Sequence, residues 1–114
     1  MTDSFVSGQP MIMTCEELNE KLSSDDCDVF MVDVRGEKEF EKCNISGSIN
    51  IPLTELEENL DKFPDKNIVV ICHYGIRSIQ GASILLKNGI KNCYSLKGGV
   101  EIWAQVIDKD MIRY

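Results

Sequence analysis

Two periodicities alternate along the chain. The runs Val29-Phe30-Met31-Val32 and Ile68-Val69-Val70-Ile71 contain no polar position, as expected of strands buried on both faces. Between and around them, apolar residues recur at helical spacing. Leu18 and Leu22 follow Thr14-Cys15-Glu16-Glu17, which reads as a capping box at the start of a first helix. Leu56, Leu60 and Phe63 follow a second such box, Thr54-Glu55-Leu56-Glu57, in a helix that Pro64 stops. A further helix is predicted from about Arg77 to Asn88-Gly89, a good C-terminal stop, with Ile79, Ala82, Leu85 and Leu86 inward. Shorter elements complete the pattern: a charged helix around Glu37 to Glu41, an extended segment from Ile49 to Leu53, and a last strand from Cys93 to Leu96. Gly98-Gly99 opens a final helix with Val100, Trp103 and Ile107 on one face, Trp103 anchoring it in the core.

Strand and helix in alternation predict an α/β fold, with a parallel central sheet and helices on both faces. Residues 1–10 carry no such pattern and read as a flexible segment ahead of one domain over 11–114. In sheets of this kind the functional site lies beyond the carboxyl ends of the strands. The clearest strand ends at Ile71, and Cys72 follows.

Composition narrows the chemistry. The 114 residues are 43% hydrophobic, enough for one modest core. No apolar run is long enough for a membrane span, and the opening segment has neither the basic nor the apolar part of a signal peptide. A cytoplasmic protein is expected. The net charge of -7, from 19 acidic and 12 basic residues, speaks against nucleic-acid binding. The five cysteines are odd in number, scattered and without a CxxC pair, and His73 is the single histidine. Neither a disulfide framework nor a metal site is expected, and most cysteines should be small buried hydrophobes.

Cys72 stands apart because of its position. A strand end, a glycine able to turn amides inward, an arginine and a helix start coincide in Cys72-His73-Tyr74-Gly75-Ile76-Arg77. Unpaired N–H groups, the helix dipole and the Arg77 charge all favour thiolate over thiol, and hence a nucleophilic sulfur.

The loop Cys72-His73-Tyr74-Gly75-Ile76-Arg77-Ser78 resembles the C-x-x-G-x-R-S pattern of the rhodanese family. Asp33-Val34-Arg35 with Glu39-Phe40, Ile45-Ser46-Gly47-Ser48-Ile49-Asn50-Ile51-Pro52, and Leu96-Lys97-Gly98-Gly99 with Trp103 resemble its other motifs, in the family's order. Cys43-Asn44 replaces the usual Gly-His. With Ile51-Pro52-Leu53 and the ending Arg113-Tyr114, this is similar to rhodanese domains fused behind E1-like (molybdopterin-synthase-type) adenylyltransferases.

The resemblance implies a three-layer rhodanese fold and a sulfurtransferase working through a covalent persulfide on Cys72, with no separate cofactor. Thiosulfate or another persulfide donor would supply the sulfur. A ubiquitin-like sulfur carrier or a thioredoxin-type protein would accept it. Cys72 and Arg77 would be catalytic, and His73, Tyr74, Gly75, Ile76 and Ser78 would bind the substrate. Within that set, His73 reads as a solvent-facing loop residue rather than a base, and Tyr74 and Ile76 as the rim. Ser78 reads as a helix cap, with a bond to the cradle as its alternative. Asp33 and Arg35 read as a supporting ion pair, and Cys43 as packed rather than as a second thiol resolving the persulfide.

Two rival readings differ in class. A non-catalytic docking module on the same fold would not need the Cys72 and Arg77 that this chain keeps. A small phosphatase or arsenate reductase is disfavoured because the phosphatases sharing this fold have one more residue between Cys and Arg, wrapping a phosphate.

Overall fold

The computed structural model describes residues 9–25 and 27–114. Most of the segment read as a flexible start therefore lies outside the described residues. The elements run β1 (Met11–Met13), α1 (Cys15–Leu22), β2 (Val29–Asp33), α2 (Glu37–Lys42), β3 (Ile49–Asn50), two 3-10 turns (Leu53–Glu58 and Leu60–Lys62), β4 (Asn67–Ile71), α3 (Arg77–Lys87), β5 (Cys93–Leu96) and α4 (Gly99–Val106). One parallel five-stranded sheet results, in the order β1-β5-β4-β2-β3.

The apolar run of β4 places it at the sheet's centre, its residues facing alternate sides. Val69 and Ile71 enter one core with Leu18, Leu96, Val100 and Trp103, so α1 and α4 cover that face. Ile68, Val70 and Cys72 enter the other with Leu56, Ala82 and Leu85, under α3 and the 3-10 segment. This is the three-layer α/β arrangement that the alternating pattern implies.

α1 begins as its capping box requires: the Thr14 hydroxyl accepts from the Glu17 amide at 3.1 Å, and the Glu17 carboxylate accepts from the Thr14 amide at 2.8 Å. The second box does not form. Pro52 precedes the turn, no side chain caps it, and Leu53–Lys62 winds as two 3-10 pieces broken at Asn59 (φ -126°). Leu56 is fully buried there, and Leu53, Leu60 and Phe63 pack partly buried against the same core. In α3, Ser78, Gly81, Ala82 and Leu85 face inward while Ile79 is 43% exposed, a correction to the predicted stripe. Small residues lie inward because α3 packs close over β4 and its neighbours: a Cβ on Gly81 would stand 3.0 Å from the Val70 side chain.

β1 is a fifth strand that the pattern did not single out. Its three residues lie on the sheet's edge, with Met11 and Ile12 exposed and only Met13 buried. Among the described residues, no helix is long and apolar enough to cross a membrane.

Candidate functional site

Connections from neighbouring strands leave in opposite directions at the middle of the sheet. β2 leads outward through α2 to β3, and β4 leads through α3 to β5 on the other side. The loops after β2 and β4 part there, at the switch point where α/β sheets form crevices. The β4 loop carries Cys72 to Ile76, and the β2 loop carries Arg35 with Asp33 at its root.

The Cys72 sulfur stands where a helix cap would. The N-cap of α3 is Ile76, whose side chain cannot accept a hydrogen bond. The Ser78 amide donates instead to Cys72 Sγ at 3.3 Å, and the Gly75 amide donates to the same sulfur at 3.0 Å. The sulfur thus takes the acceptor role that Ser or Asp fills in an ordinary cap. Gly75 permits this because its φ of +98° is open only to glycine, and because a Cβ there would lie 2.9 Å from the Gly98 nitrogen. Cys72 itself is 1% exposed. The residue is recessed, yet its amide partners point at it.

The other side of the loop is fastened by α4. The Val100 and Glu101 amides donate to the Cys72 and His73 carbonyls, each at 3.0 Å. Gly99 lets the helix approach this closely, since a Cβ on it would sit 2.2 Å from the Cys72 carbonyl oxygen. With their carbonyls held from outside, the loop residues are free to turn amides toward the sulfur. The predicted role of Gly98-Gly99 as a helix start therefore understates it; the pair also grips the loop.

Arg77 reaches away from the loop, pairing with Glu39 of α2 through Nη1–Oε1 at 2.8 Å and Nη2–Oε2 at 3.3 Å. The Glu39 hydrogen bond chiefly raises the Arg77 pKa, against the opposing effect of burial and with smaller help from the charges of Glu39, Cys72 and Tyr114. Glu39 is held below the usual glutamate range mainly by the same hydrogen bond. Arg77 thus clamps the helix start to α2, and its charge still acts on Cys72.

Ser78 is not the cap of α3. Its hydroxyl lies 3.5 Å from Cys72 Sγ and 2.6 Å from the Ser95 hydroxyl on β5, all fully buried. His73 is not solvent-facing either. It is 7% exposed, stacked between Tyr74 and Tyr114 with ring centroids 3.9 and 4.0 Å away, and its Nε2 lies 3.5 Å from Glu101 Oε1. Two aromatic neighbours and a carboxylate give the imidazole a better place than water does. Tyr74 and Ile76 form the rim, 59% and 71% exposed.

Asp33 and Arg35 form the supporting pair, both wholly buried, with Arg35 Nη2 2.7 Å from Asp33 Oδ2. Burial alone would lower the Arg35 pKa, but bonds to Asp33, Tyr114 and Cys43 and the Asp33 charge raise it overall. The guanidinium also donates to the Cys43 carbonyl at 2.6 Å and to the Tyr114 hydroxyl at 2.7 Å. Cys43, the first residue of the Cys43-Asn44 pair, thereby helps to bind Arg35. It belongs to the core on the face opposite Cys72, which places it as a packed residue. Cys15 and Cys93 are pushed up to about 11, by burial first and, for Cys15, by Glu16 as well. Cys27 alone of the five is exposed.

Glu39, Ser95, Gly99, Glu101 and Tyr114 join this site without having been singled out for it. Glu39, Gly99 and Tyr114 lay within recognised segments; for Ser95 no local signal exists, because its partner Ser78 is distant in sequence.

The Rhodanese-like domain family matches residues 14–106. Among curated proteins, YqhL of Bacillus subtilis is 35% identical over 104 residues, covering 90% of this chain and 81% of that protein. The thiosulfate sulfurtransferase GlpE of Coxiella burnetii is 34% identical over 77 residues, covering 67% of this chain and 72% of that one. The adenylyltransferase and sulfurtransferase MOCS3-2 of Zea mays is 33% identical over 90% of this chain, which spans only 23% of that longer protein. The solved structure of SSP1007 from Staphylococcus saprophyticus superposes with a TM-score of 0.77 at 32% identity, over 85% of this chain and 96% of that one.

Proposed function

Because the chain belongs to the Rhodanese-like domain family, we propose that it is a sulfurtransferase that carries sulfane sulfur as a persulfide on Cys72. The observation that carries this reading is the convergence of the Gly75 and Ser78 amides on Cys72 Sγ, at 3.0 and 3.3 Å. Amides already aimed at a sulfur need no reorganisation when it becomes an anion.

In the first half-reaction the Cys72 thiolate attacks the outer sulfur of thiosulfate. A new S–S bond forms, the old one breaks, and sulfite leaves with its electron pair, so that Cys72-S-S⁻ remains. Gly75 and Ser78 hold the inner sulfur, and the loop amides around them offer bonds to the outer one. Arg77 attracts the anionic donor and, through Glu39, fixes the start of α3. In the second half-reaction a nucleophile takes the outer sulfur and returns the thiolate. Cyanide would serve in an assay, giving thiocyanate. In the cell a thioredoxin-type thiolate would serve as that nucleophile. With a ubiquitin-like sulfur carrier the persulfide would itself attack the activated C-terminus and displace its activating group. Either protein would sit on the exposed Tyr74 and Ile76. Similarity to a thiosulfate sulfurtransferase supports the donor, and similarity to MOCS3-2, an adenylyltransferase and sulfurtransferase, supports sulfur transfer.

Thiocyanate formation from thiosulfate and cyanide tests the reading. The wild-type protein turns over and Cys72→Ser does not, while para-nitrophenyl phosphate is left intact by both. Turnover by a folded Cys72→Ser protein would overturn it.

A further inference from the structure

Ser95 is a polar residue in the middle of an apolar sheet. It lies on β5 opposite Val70 of β4, with Cys93 and Cys72 on the same core face and α3 above. It is 1% exposed, and its hydroxyl meets one side chain, the fully buried Ser78, at 2.6 Å. A buried hydroxyl without a partner costs about 1–3 kcal/mol, so a lone serine here would be a fault in the core. The Ser78 hydroxyl supplies the partner and is in turn 3.5 Å from Cys72 Sγ. Three polar atoms therefore stand in line, from sulfur to helix to strand, sealed from solvent.

Either hydroxyl can be the donor in the Ser78–Ser95 bond. With a neutral thiol, S–H points to Ser78, Ser78 O–H points to Ser95, and the line runs outward from the sulfur. With a charged sulfur, Ser95 O–H points to Ser78 and Ser78 O–H points to the sulfur. Two hydroxyl rotations reverse the line, and no heavy atom moves. A single hydroxyl could also donate to the sulfur, but Ser95 orients it and strengthens its bond by polarising it.

We infer that Ser95 is a positioning residue, acting through the Ser78 hydroxyl to stabilise negative charge on the Cys72 sulfur. The role rests on Cys72 being a reactive thiol and does not depend on which donor or acceptor it serves. Of the titratable and charged groups around the loop, Arg77 acts on the same sulfur. Arg77 of α3 is paired with Glu39 of α2, the Asp33–Arg35 pair follows β2, and His73 meets Glu101 of α4. Ser95 contributes from beneath, where no charged residue is buried on its strand.

The test follows ionisation of Cys72 directly, through the pH profile of its Cβ carbon resonance, which needs no reagent to reach a recessed sulfur. Ser95→Ala moves the profile to higher pH and lowers the thiolate fraction on its acid side roughly three- to tenfold, the effect of weakening one hydrogen bond to a charged group. Ser95→Thr keeps the hydroxyl and restores the wild-type profile. In a Ser78→Ala background, Ser95→Ala has no further effect, because the connecting hydroxyl is gone. Ser95→Cys, close in shape but a weak donor, gives the same direction of change should the alanine variant fail to fold. An unmoved profile in a folded variant, or an equal shift with and without the Ser78 hydroxyl, overturns the inference. Thiocyanate formation by the wild-type protein is scored separately, so a shifted profile without sulfur transfer would refute the transferase reading and leave Ser95's role standing.

Discussion

Cys72 accepts the amide bonds that would otherwise go to a cap, and that substitution makes the neighbouring residues matter. Gly75→Ala forces a side chain onto a φ of +98° and against the Gly98 nitrogen, so the amide that faces the sulfur must turn away. We expect a loss of about 1–3 kcal/mol in thermal unfolding and a fall in thiocyanate formation on the order of a hundredfold. Glu39 gives a pH signature. Its folded-state pKa is lowered by Arg77, so its contribution is complete above the ordinary glutamate value and lost as pH falls through the lower, folded one. Urea unfolding of wild type and Glu39→Gln should therefore differ by under about 1 kcal/mol near neutral pH and converge in acid. A gap that persisted in acid would remove the clamp from the account. Exposure also sorts the thiols: a bulky aromatic disulfide should modify Cys27 well before the recessed Cys72, as peptide mapping would show.

At the scale of elements, what the chain made legible was what depends on near neighbours. The Thr14 capping box, the β4 run and the strand-to-helix step at Cys72 each rest on residues a few positions apart, and each forms. The Thr54 box had the same letters and failed, since Pro52 takes the cap position ahead of it and offers no side-chain acceptor. Ile79 was misplaced because the face of α3 is decided by how closely the helix lies on the sheet, and closeness selects Ser78, Gly81 and Ala82. β1 was missed because an edge strand of three residues buries too little to leave a pattern. Ser95 acquires meaning only from its partner Ser78 across the fold. Two variants test this scale. Thr14→Ala should cost about 1 kcal/mol in unfolding while sparing sulfur transfer, as the Thr14 hydroxyl bonds within the first turn of α1. Gly99→Ala should impair both, because its Cβ would push α4 off the Cys72 and His73 carbonyls.

For the molecule as a whole, sheet order places the chemistry. The central strand ends at the switch point, α4 holds the loop's carbonyls from one side, and α3 offers amides from the other. The result is a recessed sulfur faced by two amides and a hydroxyl, the setting that the proposed persulfide role requires. Mass analysis after thiosulfate treatment examines that setting most directly. The peptide bearing Cys72 should gain about 32 Da, the mass of one sulfur atom, and lose it on adding cyanide, with no gain in Cys72→Ser. Added sulfur on Cys27 instead, or none on Cys72 in a folded protein, would contradict the account.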